Sequence, residues 1–469
     1  MPTLRRSSVR VRGPDRRMSS VDAGFLYLER SHAPLHIGCI AIVEGALSAQ
    51  ALASRVGARI DRMRRYAERA VPVPLALAHP TWEPDPDFDP REHVCRWSLP
   101  SPGGERELCE LVEELLLRPL DRGRPLWEMH LIEGLADGRT AVFQKVHHCM
   151  IDGVAGAQLL DVLLDETPVV RERFALSEAP RPLPGGGERV RRALGDGLRR
   201  QLSGARSVAR ALSSPLEARR TSERLRAAAW SALRLAAGDV PHLPWNEPIT
   251  QRRRLHFTAL PLDGVQLVRR RRSGTVNDVV LSVLAGGLHR YLRAQGIDTR
   301  GLEPVAMVPV SLRSSEESGA MGNRISAMLV PLAVDPEGEL ARLAATRAIT
   351  ERLKAGAAWT GIDALLRALD GLPAPLVALA GSRLSLGRMA NLVATNVPGP
   401  RGPRWLCGRR VESLRPIVPI TDGLGLGLAV LSYDGTLSVG LNADPSHLPD
   451  LEKLGHGIEE AFTALASAC

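Results

Sequence analysis

Aromatic residues are scarce in this chain, at 4% of 469 residues. A nucleic-acid surface built on stacking platforms is thereby disfavoured, no finger motif is present, and no nucleic-acid partner is expected. No apolar run is long enough to span a bilayer. The N-terminal stretch MPTLRRSSVRVRGPDRR is basic but lacks the apolar core of a secretory signal, so residues 1–17 read as a flexible tail ahead of Met18. The six cysteines, at 39, 95, 109, 149, 407 and 469, have no paired metal spacing and fit a reduced, cytoplasmic chain. There is no His-Glu-x-x-His pattern and no carboxylate or cysteine cluster to complete a ligand set, so no metal is expected. A nucleotide-binding Gly-rich loop after a suitable first strand is also missing.

Arginine, by contrast, is plentiful. Formal net charge is +9, from 61 Lys and Arg against 52 Asp and Glu. Between Arg189 and Arg234, 12 arginines face three acidic residues, Asp196, Glu217 and Glu223. Leu194, Leu198, Leu202, Val208 and Leu212 are interspersed among them. Arg-rich amphipathic helices of this kind lie on anionic membranes. A solvated helical linker fits the same composition.

The length admits two domains with real cores. A first domain is expected over 18–180, a basic helical connector over 181–244 and a second domain over 245–469. In the first, His36 to Val43 reads as a strand and Ser48 to Arg65 as a helix with Ser48 as its cap. Val71 to Trp82 is interrupted by prolines and is expected to cross the surface. Phe88 to Trp97 reads as extended, and Arg106 to Leu117 as a helix. In the second, strands are predicted at Arg254 to Leu262, Ala306 to Val310, Ile325 to Leu332, Leu392 to Asn396, Leu426 to Tyr433 and Leu437 to Leu441. The last two join through the Asp434-Gly435 turn. Helices are predicted at Leu262 to Arg271, Val279 to Leu292, Gly338 to Leu353 and Pro449 to Ala466, with helical segments over Trp359 to Ala380 broken by Gly371 and Pro373. The mixture implies an α/β protein with two layers, each holding a mostly antiparallel or mixed sheet.

The chemistry concentrates at His147-His148-Cys149-Met150-Ile151-Asp152-Gly153. Trp127 to Ile132 and Thr140 to Val146 read as strands joined by a turn at 134–138, and an apolar helix follows Gly153. The histidines therefore sit at a strand-to-loop junction, which holds an imidazole rigidly and leaves its edge free. His148 is the candidate general base. A neutral imidazole accepts the proton of an alcohol attacking an acyl carbonyl, help worth roughly two to four orders of magnitude. Asp152 fixes the loop by pairing with an arginine, and Gly153 permits a tight turn. His147 shapes the pocket or orients its neighbour. A satisfied packing role for both histidines is the plainer alternative, and Cys149 reads as a small packing residue rather than a thiol nucleophile.

The HHCMIDG segment resembles the active-site signature of the bacterial wax ester synthase/diacylglycerol acyltransferase family, within the wider group of coenzyme A-dependent acyltransferases and condensation domains. Further segments resemble that family: Ser20 to Phe25, His36-Ile37-Gly38, Pro125-Leu126-Trp127-Glu128, Thr275-Val276-Asn277-Asp278-Val279, Pro309 to Arg313, Gly322-Asn323, Thr395 to Pro400 and Ser432 to Gly435. Together they cover nearly everything from Met18 onward. The resemblance implies two chloramphenicol acetyltransferase-like domains with mixed sheets, joined by a crossover connector, with an interdomain active-site tunnel holding the catalytic histidine. Carried over, His148 is the base and Asp152 is chiefly structural. Asn277 holds substrate or donates to the oxyanion, though a helix cap is the plainer reading; Asp278 serves the first helical turn, and Thr395 and Asn396 are further polar contributors.

The reaction so implied needs no permanently bound cofactor: acyl-coenzyme A is the acyl donor, and diacylglycerol or a long-chain alcohol the acceptor. The expected location is cytoplasmic, at the periphery of the inner membrane or on lipid droplets, with an anionic membrane or droplet surface as a partner. Acyl transfer to another alcohol or amine, and a noncatalytic lipid-surface protein, are the competing readings.

Overall fold

Two six-stranded mixed sheets organise the chain, seen in a computed structural model that describes residues 17–151, 153–169, 185–195, 219, 222, 240–311, 325–355, 375, 377 and 386–469. The N-terminal half contributes helix α1 (Ser20–Leu28), strand β1 (His36–Val43), helix α2 (Ala49–Arg59) and the hairpin β2 (Glu68–Val71) and β3 (Thr81–Pro84). It continues with β4 (Val94–Ser98), α3 (Glu105–Leu117), β5 (Trp127–Glu133), β6 (Thr140–His147) and α4 (Gly153–Leu163). The C-terminal half contributes β7 (Arg254–Pro261), α5 (Leu262–Arg271), α6 (Val276–Ala294), β8 (Val305–Ser311), β9 (Ile325–Pro331) and α7 (Glu339–Ala355). It closes with β10 (Leu392–Val397), β11 (Trp405–Leu406), β12 (Arg409–Ile417), β13 (Leu426–Tyr433), β14 (Thr436–Ala443) and α8 (Leu451–Ser467).

The first sheet runs β11-β12-β1-β6-β5-β4 and the second β7-β14-β13-β10-β8-β9. Antiparallel and parallel neighbours occur in both, as the mixed pattern of the sequence predicts: β4 lies parallel to β5, and β10 lies parallel to β8 and β13. Strand β6 sits centrally between β1 and β5, and all eight of its residues are buried. The Asp434-Gly435 turn has positive φ at both residues, 42° and 82°, the backbone a two-residue hairpin needs to match strand twist. It sets the β13–β14 register, with Tyr433 opposite Thr436.

The sheets are tied together by the late strands. β12 comes from the C-terminal half yet pairs antiparallel with β1, so the first sheet is completed by residues more than 360 positions downstream, Gly38 facing Ile417. The Tyr433 hydroxyl, at the end of β13, donates to the Val411 carbonyl on β12 at 2.8 Å, and Asn442 on β14 donates to Val418 at 2.9 Å. Gly440 on β14 lies against the Pro416 carbonyl, and any Cβ there would collide with it. A large apolar core fills each half, one around α6 and α8, the other around β6, α2 and α4.

Two local readings need correction. Val71 to Trp82 crosses the surface only in part: its ends belong to the β2–β3 hairpin, Val73 and His79 to Trp82 are buried, and the tip around Leu75 to Leu77 is exposed. The Ser48 helix ends at Arg59 and passes into two 3-10 turns up to Ala67, although Ser48 caps it as expected, accepting from the Ala51 amide at 3.1 Å. All of the basic tail but Arg17, most of the Arg-rich connector, Leu312-Arg313, Gly322-Asn323 and nearly all of the helical segments expected over Trp359 to Ala380 lie outside the described residues. No helix among the described residues is long and apolar enough to cross a membrane.

Candidate active site

The His147–His148 pair ends the central strand, where β6 runs into the turn before α4. Alternation along the strand sends the two imidazoles to different surroundings. His147 is buried among polar groups, whereas His148 borders a cavity.

His147 Nδ1 accepts from the Cys149 amide at 3.1 Å. Its Nε2 must therefore carry the proton in the neutral ring, and it points at Glu29 Oε1 at 3.2 Å. Glu29 belongs to the end of α1, at its C-cap. Burial pushes its carboxyl up, but His147, Arg122 (2.7 Å) and His36 outweigh this and hold it down to about 2. His36, opposite His147 in the β1–β6 register, donates from Nδ1 to the Leu116 carbonyl at 2.9 Å. Burial, Lys145 and His147 press its pKa down to about 3, so it stays neutral.

Glu29 reaches His148 as well. Its Oε1 accepts from the Leu35 amide at 3.2 Å, and the Leu35 carbonyl accepts from the His148 amide at 2.8 Å. One turn earlier on α1, the Phe25 ring stacks on the His148 imidazole, centroids 4.0 Å apart and planes 10° apart. Helix α1 and its C-cap thus hold the ring of His148 through Phe25 and its backbone indirectly, through Glu29 and Leu35. Cys149 is fully buried in the core and its thiol pKa is raised far by desolvation, which leaves it a packing residue.

The cavity beside His148 measures about 550 Å³. Its walls come from both sheets: Ile37 and Val146 on one side, Val308, Met328 and Val330 on the other, with Leu159 of α4. Asn277, Thr395 and Asn396, named from the sequence, all line it, as do Thr275, Gln144 and Lys354. Asp278 does not. It is buried, and its Oδ2 accepts from the Thr275 amide at 2.7 Å while Thr275 Oγ1 accepts from the Asp278 amide at 3.2 Å, a reciprocal capping box. Its Oδ1 accepts from the Thr350 hydroxyl on α7 at 2.8 Å. The cap of α6 is therefore Thr275, which leaves Asn277 in the first turn, facing the cavity where the amide dipoles favour negative charge. Gly153 opens α4. Asp152 lies outside the described residues.

Sequence reasoning named Phe25 only within the Ser20 to Phe25 family segment, with no role at the site, and missed Glu29 altogether. The signal was present in the Ser19-x-x-Asp22 start of α1, where Ser19 accepts from the Asp22 amide at 3.0 Å.

Comparison with known proteins places this geometry in context. The model of the wax ester synthase/diacylglycerol acyltransferase catalytic domain matches residues 18–280, and that of the family's C-terminal domain matches 321–466. A Mycobacterium tuberculosis protein named as a probable diacylglycerol O-acyltransferase is 37% identical over 457 residues, 96% of each chain. A second from that organism, similarly named, is 31% identical over 459 residues, 95% of this chain and 98% of its own. Among solved structures, the wax ester synthase/diacylglycerol acyltransferase of Marinobacter aquaeolei VT8 is 25% identical with a TM-score of 0.68, covering 96% of this chain and 99% of that one. The first condensation domain of the calcium-dependent antibiotic synthetase, 18% identical with a TM-score of 0.60 over 97% of this chain and 98% of that one, shares the fold. By its sequence motifs, its two-sheet architecture and these matches over nearly its whole length, the chain belongs to the wax ester synthase/diacylglycerol acyltransferase family.

Proposed function

We propose that this protein transfers a long-chain acyl group from acyl-coenzyme A to the hydroxyl of a lipidic acceptor, a diacylglycerol or a long-chain alcohol, giving triacylglycerol or wax ester. One observation carries the reading above the others: the His148 imidazole borders an apolar cavity of about 550 Å³ bounded by both sheets. That volume falls in the range of roughly 300–1,000 Å³ usual for small-molecule sites. Family membership supplies the reaction class. In this reading residues 18–180 carry the base, 181–244 connect, and 245–469 complete the site as a tunnel between the two domains.

His148 takes the acceptor's hydroxyl proton as the oxygen attacks the thioester carbon. The new C–O bond gives a tetrahedral oxyanion, which Asn277, Thr395 or Asn396 steadies by donating hydrogen bonds. The C–S bond then breaks, and the imidazolium returns its proton to the departing thiolate. His147, with its Nδ1 accepting and its Nε2 on Glu29, serves as a positioning residue. Asp152 and Gly153 shape the loop that follows, and Asp278 supports the helix that presents Asn277.

The test is coenzyme A release from long-chain acyl-coenzyme A, with and without hexadecanol or diacylglycerol, with the lipid products identified. Acceptor-dependent ester is expected. Folded protein that makes no ester with either acceptor overturns the proposal.

A further inference from the structure

The site just described leaves one conspicuous surface unused. Between β2 and β3 the chain reads Val71-Pro72-Val73-Pro74-Leu75-Ala76-Leu77-Ala78, eight residues without a polar side chain. Val71 and Val73 are buried and root the segment, but Leu75 is 88% exposed and Leu77 45%. Leu75 is the most exposed large apolar side chain of the described residues. Leu75 and Ala76 both hold positive φ, 58° and 51°, a conformation that L residues adopt at a cost and that surrounding structure must enforce.

The enforcement is visible on both sides of the loop. Its stalk is the β2–β3 hairpin, Val71 opposite Thr81. At its base the buried His79 ring bridges the Ser20 hydroxyl (3.0 Å) and the Tyr27 hydroxyl (3.1 Å) of α1, the helix that grips His148. A helix over 186–195 packs alongside, with Arg189 donating to the Pro72 carbonyl at 2.9 Å. That helix exposes Arg191 and Leu194, and Arg192 shares the acidic neighbours Glu188 and Glu83. The chain beyond it continues the arginine excess of 189–234.

We propose that the 71–78 loop is a docking element for an anionic lipid surface, with Leu75 and Leu77 entering the acyl boundary and the neighbouring arginines meeting the headgroups. Size decides between lipid and protein as the occupant. A stable protein interface needs about 800 Å² per partner with a polar rim to supply hydrogen bonds. A rigid tip of two leucines beside cations falls far short of that, yet it suits a lipid interface, where apolar insertion and headgroup attraction add. The inference rests on exposure, backbone geometry and charge, not on the acyl-transfer reading.

Flotation with the full chain tests it, using vesicles of phosphatidylcholine alone and of an equimolar mixture with phosphatidylglycerol. The wild type should partition onto the mixed vesicles. Leu75→Ser combined with Leu77→Ser should weaken partitioning at least about 10-fold on both compositions, the size expected for two partly inserted leucines. Arg191→Gln should weaken it on the mixed vesicles alone, and less so in high salt. Coenzyme A release with a short-chain, water-soluble donor and acceptor is measured on the same preparations and should match between wild type and double variant. A double variant that floats like the wild type, or a wild type that binds neither vesicle, overturns the docking role. So does a double variant equally crippled on soluble substrates, since the loop would then act through the catalytic site. Vesicle binding that depends on the leucines, from protein that forms no ester, upholds docking and counts against the acyl-transfer reading alone.

Discussion

Replacing Glu29 separates a positioning network from mere packing. In Glu29→Ala, the Leu35 amide loses its acceptor and the buried His147 ring loses the carboxylate 3.2 Å from its Nε2. Each orphaned group costs about 1–3 kcal/mol. Loss of the Arg122 pair adds under about 1 kcal/mol, because that guanidinium is more than half exposed. The expected destabilisation is therefore about 2–7 kcal/mol, read by urea unfolding. Glu29→Gln keeps an amide oxygen for the Leu35 and His147 contacts but loses the charge and the Oε2 that accepts from Arg122. The wild-type carboxyl is held at about 2 against an ordinary 4.5, so its ionisation stabilises the fold by about 1–3 kcal/mol once solvent screening is allowed for. Because the folded value is depressed, that contribution is full above pH 4.5 and is lost as pH falls through 2. The stability gap between wild type and Glu29→Gln should be widest near neutrality and close on acidification. The kinetic signature is more telling. With the Leu35 relay slackened, the His148 imidazole drifts, and kcat of Glu29→Ala should fall about 10–100-fold while KM for donor and acceptor stays nearly constant. Glu29→Gln should recover most of that loss. A folded Glu29→Ala with unchanged kcat would refute the reasoning.

Three further outcomes follow from the same geometry. Phe25→Leu keeps apolar cover but loses the ring stack on His148, so kcat should drop several-fold, by roughly the 0.5–1.5 kcal/mol such a stack is worth, with the melting temperature little changed. Asn277→Ala should lower kcat with stability intact, whereas Asp278→Ala should lower stability by about 0.5–2 kcal/mol through the broken capping box; the reverse pattern in paired kinetic and unfolding measurements would exchange their roles. Trp127→Ala removes a fully buried indole that donates to the Tyr66 carbonyl at 2.8 Å, and should cost about 3–5 kcal/mol in denaturant unfolding.

Much of the fold was legible because periodicity and turn chemistry agreed. His36 to Val43 and Leu262 to Arg271 were read with the bounds that the structure gives them. The Asp434-Gly435 hairpin was legible for a mechanical reason: few residues accept two consecutive positive φ values. Helix α1 escaped because two of its buried positions are polar, Ser20 and Asp22, which masks the apolar period. With it went Phe25 and Glu29, whose contacts with His148 and His147 span more than 100 residues. β11 and β12 were not read at all. The buried residues of Arg409 to Ile417, namely Val411, Leu414 and Ile417, recur every three positions instead of alternating, and pairing with β1 is a long-range choice that local sequence does not encode. At the second site segment Asn277 reads from the sequence as a helix cap or a substrate contact, and Asp278 as serving the first helical turn. The structure gives the cap to Thr275, since the T-x-x-D spacing closes a reciprocal pair that Asn277 cannot make.

The central claim is that the His148 imidazole removes the proton of the acceptor hydroxyl. The most direct measurement is the rate of acceptor-dependent ester formation by His148→Gln, with wild-type far-UV circular dichroism and urea unfolding as the control for folding. The account predicts a loss of about two to four orders of magnitude in kcat, with donor and acceptor KM little changed. A folded His148→Gln that forms ester at the wild-type rate would contradict it.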